Sequence, residues 1–442
     1  MDQRTYTLAP DIQVLENEDQ RVLVNPANLE WIKLTLDAYR CVENRKGLSL
    51  QELIAGESQR RGVNSSEIEA LFAYLLEAGF VLDASRVARL ARAYLNVTDR
   101  CNLACPTCYF RAKGSPGLDP LSTGEVCDVL DALTRARPRS LVVSGGEPLL
   151  REDIGDILDF ACVRFEDVVL LTNGTLIEEK EARRIAEAGV KVQVSVESDD
   201  AAIHDAVRGR GSFEAAMRGI RALREAGLSA VEIVPTLTRG NLASVPGIIS
   251  LARNLGTGYH FSLFMPVGRG ACRTQDLAIP PGELLACFTA MIRAPYEAGE
   301  TRPLGGRSEP PVQLYARRGC GAGDEIISVG PDGSVYPCPL MHLRGMALGR
   351  LPEDALPDIR RRGRRLVPEA ACIRGCSDCD VMHFCGGGCR AHSLAQNGDV
   401  FSPDPYCEFY KAVYRAFLWE WREDRSLEEN VSALVAALCK GM

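Results

Sequence analysis

The cysteines are the residues of this chain whose types and spacing point most directly to chemistry. Cys101, Cys105 and Cys108 share one short loop, Asn96-Val-Thr-Asp-Arg-Cys101-Asn-Leu-Ala-Cys105-Pro-Thr-Cys108-Tyr109-Phe110, directly after an apolar run at Tyr94–Val97. Four thiolates close a zinc site or an iron–sulfur cluster, whereas three leave one metal position open to a small molecule. Close cysteine pairs serve both metals, so this spacing alone leaves zinc and iron–sulfur open. A second set follows far downstream: Cys320, Cys338, Cys376, Cys379, Cys385, Cys389 and Cys407. Cys41, Cys127, Cys162, Cys272, Cys287 and Cys439 stand apart and read as small buried hydrophobes, and Cys372 is ambiguous.

Seventeen cysteines in 442 residues are not a disulfide framework in a reducing cytoplasm, so metal binding explains them best. A net charge of −8 and ordinary hydrophobic content argue against disorder and polyanion binding, and no nucleic-acid partner is expected. The start, Met1-Asp-Gln-Arg-Thr-Tyr, has no apolar signal region, and no apolar run approaches membrane-spanning length. A soluble, cytoplasmic protein without a membrane partner is expected, long enough for two or three domains.

The elements that must position the first loop alternate strand with helix. Strand-like runs fall at Tyr94–Thr98, Ser140–Ser144, Asp167–Thr172, Lys191–Val196, Val231–Thr236 and Tyr259–Phe264. Amphipathic segments lie between them, with Val126, Val129, Leu130 and Leu133 on one face and Ile154, Ile157, Leu158 and Ala161 on another. This order implies a parallel sheet with right-handed crossovers, and six units imply an open partial barrel. In such folds chemistry sits where strands end at their carboxyl side, and the three-cysteine loop follows the first strand. The second strand ends in Ser144-Gly145-Gly146-Glu147-Pro148, where two glycines let backbone approach a ligand and a carboxylate can meet an ammonium. The third is followed by Asn173-Gly174-Thr175, and the fourth by Ser195-Val-Glu197-Ser198 and then His204-Asp-Ala-Val-Arg208.

These features, in this order, resemble the radical S-adenosylmethionine (radical SAM) enzymes. The resemblance implies that Cys101, Cys105 and Cys108 hold a [4Fe–4S] cluster whose fourth iron binds S-adenosylmethionine. Gly145, Gly146 and Glu147 would hold the methionine ammonium, Ser195 and Arg208 would approach the ribose and carboxylate, and Tyr109 would lie near the adenine. His204 fits the loop as a structural residue. Glu197 stands where many relatives carry Asp. The chemistry implied is one-electron cleavage of the sulfonium, giving a 5′-deoxyadenosyl radical that removes hydrogen from unactivated carbon.

The first ninety residues read as a small winged helix. A hairpin spans Asp11–Asn25, a helix begins near Pro26 with Leu29, Ile32, Leu36 and Tyr39 on one face, and a second helix runs from Ser49 to Arg61. A third follows a Ser66/Glu69 capping pattern, ends at Gly79, and returns as a strand at Phe80–Leu82. A DNA reader presents a basic recognition helix, but Ser65–Ala78 holds three Glu and no Lys or Arg. The segment resembles the leader-recognition elements of ribosomally made peptide pathways, which bind a precursor peptide as an added strand.

Downstream, Asp332-Gly333 reads as a hairpin turn, Arg360–Arg365 as a basic run, and Tyr406–Glu423 as a covering helix. The seven later cysteines resemble the SPASM extension with two auxiliary clusters. That resemblance assigns Cys320, Cys338 and Cys389 to one and Cys376, Cys379, Cys385 and Cys407 to the other. The first then lacks a fourth thiolate: either Cys372 supplies it, or an iron is open to a substrate thiolate.

The expected architecture is therefore α/β, a partial (β/α)6 barrel (residues 93–311) between an N-terminal winged-helix domain (1–83) and a C-terminal cysteine-rich iron–sulfur domain (312–442). The expected cofactors are S-adenosylmethionine and three [4Fe–4S] clusters. The expected partners are a precursor peptide with a leader and a one-electron donor such as flavodoxin or ferredoxin. The leading reading is a peptide maturase forming a thioether or carbon–carbon cross-link. Maturation of a cofactor of the haem or quinone type is the alternative. A formylglycine maturase fits less well, because Pro339 stands where that branch carries Asp. A non-catalytic iron–sulfur sensor is the reading from another class.

Overall fold

The computed structural model describes residues 6–9, 12–17, 19–25, 30–43, 52, 56, 64–83, 90–110, 119–297, 317–422 and 425–440. They form two compact units, Met1–Arg89 and Leu90–Met442.

In the first unit, β1 (Tyr6–Leu8) pairs with a late strand, β5 (Val81–Asp83), and β2 (Gln13–Asn17), β3 (Gln20–Asn25) and β4 (Glu30–Thr35) form an antiparallel sheet in that order. The expected hairpin is present, but the helix expected from Pro26 is strand β4 over Glu30–Thr35. Leu34 is buried while Trp31, Lys33 and Thr35 are exposed, a period of two that six paired residues on β3 enforce. Helix begins only at Leu36, where the Thr35 hydroxyl caps Ala38 N at 3.2 Å. The expected second helix lies almost entirely outside the described residues. The third spans Ser65–Glu77, but its cap is Asn64, whose Oδ1 accepts from Ser66 N at 3.2 Å. Leu23, Leu34, Phe72, Leu75 and Phe80 close a small core beneath the sheet.

The second unit is built on one nine-stranded sheet in the order β12-β10-β9-β8-β7-β6-β14-β15-β16. Its parallel part comprises β6 (Arg92–Asn96), β7 (Ser140–Ser144), β8 (Val168–Thr172), β9 (Lys191–Val194), β10 (Val231–Ile233) and β12 (Gly258–Tyr259). Each strand expected from the sequence is present with ends shifted by a few residues. The last one breaks, and its second half, β13 (Ser262–Leu263), pairs with β11 (Thr236–Leu237). A seventh parallel strand, β14 (Ile326–Val329), adds beside β6, and β15 (Ser334–Tyr336) and β16 (Gly349–Arg350) continue antiparallel. The cysteine-rich segment therefore extends the same sheet. The Asp332-Gly333 hairpin forms as expected, with Gly333 at φ +85°.

Strand alternation divides the sheet's two faces. Ala93, Leu95, Leu141, Val143, Leu170, Val192, Val194, Ile327 and Val329 enter the core beneath the helices. Tyr94, Asn96, Ser144, Gln193 and Ser328 take the opposite, inner face. Helices Pro281–Glu297, Cys407–Glu420 and Leu427–Lys440 close a second core around Leu284, Phe409, Phe417 and Leu434. Arg360 and Arg364 of the basic run both pair with Asp324, so much of that charge is met within the chain.

Candidate active site

The three-cysteine loop leaves β6 through a fastened base. Arg100 grips Asp119 with two bonds of 3.1 and 2.6 Å, and the Thr98 hydroxyl bonds the same carboxylate. Buried Arg151 donates to Val97 O and Leu121 O at 2.9 and 3.1 Å. Gly145 and Gly146 lie directly against this base: Gly146 N donates to Thr98 O and Glu147 N to Arg100 O, each at 2.8 Å. A Cβ on either glycine would strike the carbonyl oxygen of Thr98 or Arg100. Their first physical use is thus to bring the second strand end against the cysteine loop.

Glu147 is fully buried, and its carboxylate accepts from Thr172 Oγ1 at 2.7 Å, Asn173 N at 2.8 Å and Leu149 N at 3.2 Å. Burial pushes its carboxyl above the usual range, and these bonds oppose the shift. Asn173 Nδ2 also donates to Asn102 Oδ1, and Asn102 Nδ2 to Thr175 Oγ1, both at 2.9 Å, so the loop after β8 holds the cysteine loop from its other side. A third clamp is Gly268 at φ +62°, whose absent Cβ makes room for the carbonyls of Cys108 and Tyr109. Its neighbour Arg269 binds Cys108 O through N at 2.8 Å and Cys105 O through Nε at 3.1 Å.

Arg208 reaches back to this loop, close enough for its charge to act on Cys105 and Cys101. Its guanidinium pairs with fully buried Glu197 through two bonds to Oε1, of 2.6 and 2.7 Å, and Glu197 Oε2 accepts from Thr236 N at 2.8 Å. Glu197 therefore sets the position of Arg208. His204 is structural, as expected: Nδ1 accepts from Glu197 N at 3.1 Å, and burial pushes its pKa down to about 4. Ser195 is half-buried at the end of β9. The Tyr109 hydroxyl bonds Ser144, near Tyr94 and Cys338, and burial pushes its pKa up to about 12.

The cysteines gather in three groups. Cys101 lies within electrostatic reach of Cys105 and Cys108, Cys338 of Cys389 and Cys320, and Cys407 of Cys376 and Cys379, with Cys385 near Cys407 and Cys376. Cys372 is exposed. Cys376, Cys379, Cys385 and Cys407 line one small pocket with Gly387, Gly388 and Tyr410. Among the described residues, no three His, Cys, Asp or Glu converge on a single metal ion. A cubane carries its thiolates on separate irons, a wider arrangement than one zinc requires, and the three thiols of the first loop suit one by their chemistry. Burial pushes Cys101 and Cys385 up to about 11 and Cys389 to about 12, so a thiolate at any of these positions would need a positive charge beside it.

Several supporting residues carried no signal in the sequence. Asp404 is buried and accepts from Cys389 N, Tyr406 N and His392 Nδ1 at 2.6, 2.7 and 3.1 Å. Arg390, fully buried, donates to Val400 O and Ser402 O at 2.8 and 2.7 Å beside Cys376. The ring of Tyr410 lies near both Cys385 and Cys389, and burial raises its pKa. Each is an ordinary residue whose use depends on which distant backbone it meets.

A parallel sheet with an open three-thiol loop at one strand end, a Gly-Gly-Glu turn at the next and a buried Arg–Glu pair beyond defines a class. The profile of the Radical SAM superfamily matches residues 95–245, and the chain belongs to that superfamily. It is 31% identical over 323 residues to the mycofactocin maturase MftC of Mycobacterium tuberculosis, covering 70% of this chain and 81% of that protein. It is 29% identical to the AdoMet-dependent heme synthase of Nitratidesulfovibrio vulgaris, covering 71% and 90%. The fold is similar to that of Streptococcus suis SuiB bound to the precursor peptide SuiA, with TM-score 0.61, 13% identity, and coverage of 91% of this chain and all of that one. It is also similar to anSMEcpe with bound AdoMet, with TM-score 0.59, 17% identity and coverage of 79% and 98%. No helix among the described residues is long and apolar enough to cross a membrane.

Proposed function

We propose that this radical SAM enzyme matures a ribosomally made peptide, installing a thioether or carbon–carbon cross-link. The observation that carries the reading is the unit Met1–Arg89, whose three-stranded sheet ends in β4, a strand paired on one side only among the described residues. An extended leader can add there as a fourth strand, its backbone bonds giving affinity. Likeness to a maturase (MftC) and to the fold of a peptide-bound enzyme (SuiB) supports this.

In this reading residues 1–83 recognise the leader, 93–311 generate the radical and 312–442 carry the auxiliary clusters. Cys101, Cys105 and Cys108 hold one [4Fe–4S] cluster. When bound, that cluster and S-adenosylmethionine supply a 5′-deoxyadenosyl radical able to take hydrogen from unactivated carbon. Arg208, steered by Glu197, faces the methionine carboxylate, Ser195 the ribose, Tyr109 the adenine side, and the Gly145–Glu147 backbone the ammonium. Cys320, Cys338 and Cys389 hold a second cluster, with one iron left open to a substrate thiolate, a reading that the exposure of Cys372 supports. Cys376, Cys379, Cys385 and Cys407 hold a third. Flavodoxin or ferredoxin in the cytoplasm supplies the electron.

The test is to search the reading frames flanking this gene for a short precursor, co-express it anaerobically with the enzyme, and follow it by mass spectrometry. A loss of two hydrogens from the peptide supports the reading. Cleavage of S-adenosylmethionine with no change in peptide mass would sink it. A second reading, action on a tetrapyrrole, draws on the heme synthase relatives; formation of haem from an added tetrapyrrole precursor, with the peptide left unchanged, would favour it.

A further inference from the structure

Between the three-cysteine loop and Cys338, the inner face of the sheet carries uncharged polar side chains that the roles above leave unused. Asn96 is 1% exposed, and its Nδ2 donates to Val329 O at 2.9 Å and Ser328 Oγ at 3.1 Å. The bond to a carbonyl fixes which end of the amide is the donor. Oδ1 is then buried without a partner among the described residues. Such an acceptor is unfavourable unless something later fills it. Fully buried Ser328 lies 2.8 Å from His342 Nε2. The His342 ring stacks on Tyr336 at 4.2 Å and meets the edge of Phe110 at 5.3 Å, two residues past Cys108. Ser144, the strand partner of Asn96, bonds Tyr109 and closes the group on its other side.

No charged side chain takes part in these contacts, and burial holds the His342 pKa down to about 4, so the imidazole is neutral at physiological pH. This selects the occupant. A carboxylate would face Asn96 Oδ1 and be repelled, and Asp332, the carboxylate whose charge reaches His342, is already bonded by Ser334 N and Oγ, so an ammonium at Asn96 would find no contacting counter-charge. A neutral group with an N–H donor satisfies the orphaned oxygen directly. We propose that Asn96, Ser328 and His342 form a hydrogen-bonding seat for a peptide amide of the substrate, whose N–H is accepted by Asn96 Oδ1. The seat holds the residue to be modified between the radical-forming loop and the cysteines around Cys338. It rests on the peptide reading above.

The experiment compares wild type with Asn96→Leu, His342→Leu and His342→Gln, using as probe a candidate precursor peptide chosen from the short reading frames that flank the gene. It reads iron content, 5′-deoxyadenosine formed without peptide, and peptide KM. Asn96→Leu and His342→Leu should raise KM about 10- to 100-fold, the range for an unmet buried polar partner. His342→Gln, which keeps neutral hydrogen-bonding atoms, should stay within about 3-fold of wild type. Iron content and peptide-free cleavage should be unchanged in all three. Wild-type KM in both leucine variants overturns the seat, as does loss of iron or of peptide-free cleavage, which would make these residues merely structural. If wild type cleaves S-adenosylmethionine but neither binds nor alters the peptide, the peptide reading itself fails and the seat falls with it.

Discussion

The Arg208–Glu197 pair gives the sharpest test of how the site is held. Glu197 is fully buried and Arg208 is 13% exposed, so neither charge has much water to fall back on. In Glu197→Gln the amide oxygen can keep the bond from Thr236 N, but its NH2 then faces the guanidinium, donor against donor. Removing one partner of a buried pair costs about 3–5 kcal/mol. Because Arg208 keeps some exposure, about 3 kcal/mol is the expected loss. With a urea slope of about 3 kcal/mol/M, the unfolding midpoint of the apoprotein should fall by about 1 M under anaerobic conditions, followed by far-ultraviolet circular dichroism. Arg208→Met should fall similarly, because it strands the carboxylate. The double variant should recover at least about 2 kcal/mol relative to the sum of the two single losses, since neither charge is then left alone. Single variants within about 0.2 M of wild type, or strictly additive losses, would refute the pairing argument.

Other perturbations follow from the same geometry. Gly268→Ala forces a side chain at φ +62° onto the carbonyls of Cys108 and Tyr109, so reconstituted iron should fall by about four atoms per chain by colorimetric assay. Cys372→Ala should leave iron content unchanged, because that thiol is exposed, whereas Cys338→Ala, which removes a thiol within reach of Cys320 and Cys389, should lose about four irons. Glu147→Gln replaces a carboxylate that accepts three bonds, two of them from backbone N–H, and should destabilise the fold by about 1–3 kcal/mol in urea titrations. His204 falls from 6.5 to about 4 on folding, so the unfolded chain takes up the proton first as pH drops. Its contribution is fully present above about pH 6.5 and is lost as pH falls toward 4, the loss reaching roughly 1.4 kcal/mol at pH 5.5. Comparing urea midpoints at pH 7.5 and 5.5, with His204→Gln as control, checks the sign.

By itself the sequence determined the parts whose signal is local. Cysteine spacing, the Gly-Gly-Glu turn and the strand–helix alternation from Tyr94 onward are each written within short windows. Chain connectivity then forces parallel strands to end on one side. The Glu30–Thr35 segment escaped that logic, because Ile32, Leu36 and Tyr39 also fit a helical stripe, and only pairing with β3 selected the period of two. Tertiary structure alone decided that Ile326–Val329 is a strand beside β6, since four residues carry too little pattern to separate from a loop. It also decided the duties of Glu147, Glu197, Asp404 and Arg390, whose partners lie on other elements. The same holds for the meeting of Asn96, Ser328 and His342, residues more than two hundred positions apart in part. A hydrogen bond depends on distance and direction in space, and no spacing along the chain encodes which backbone or side chain will arrive there.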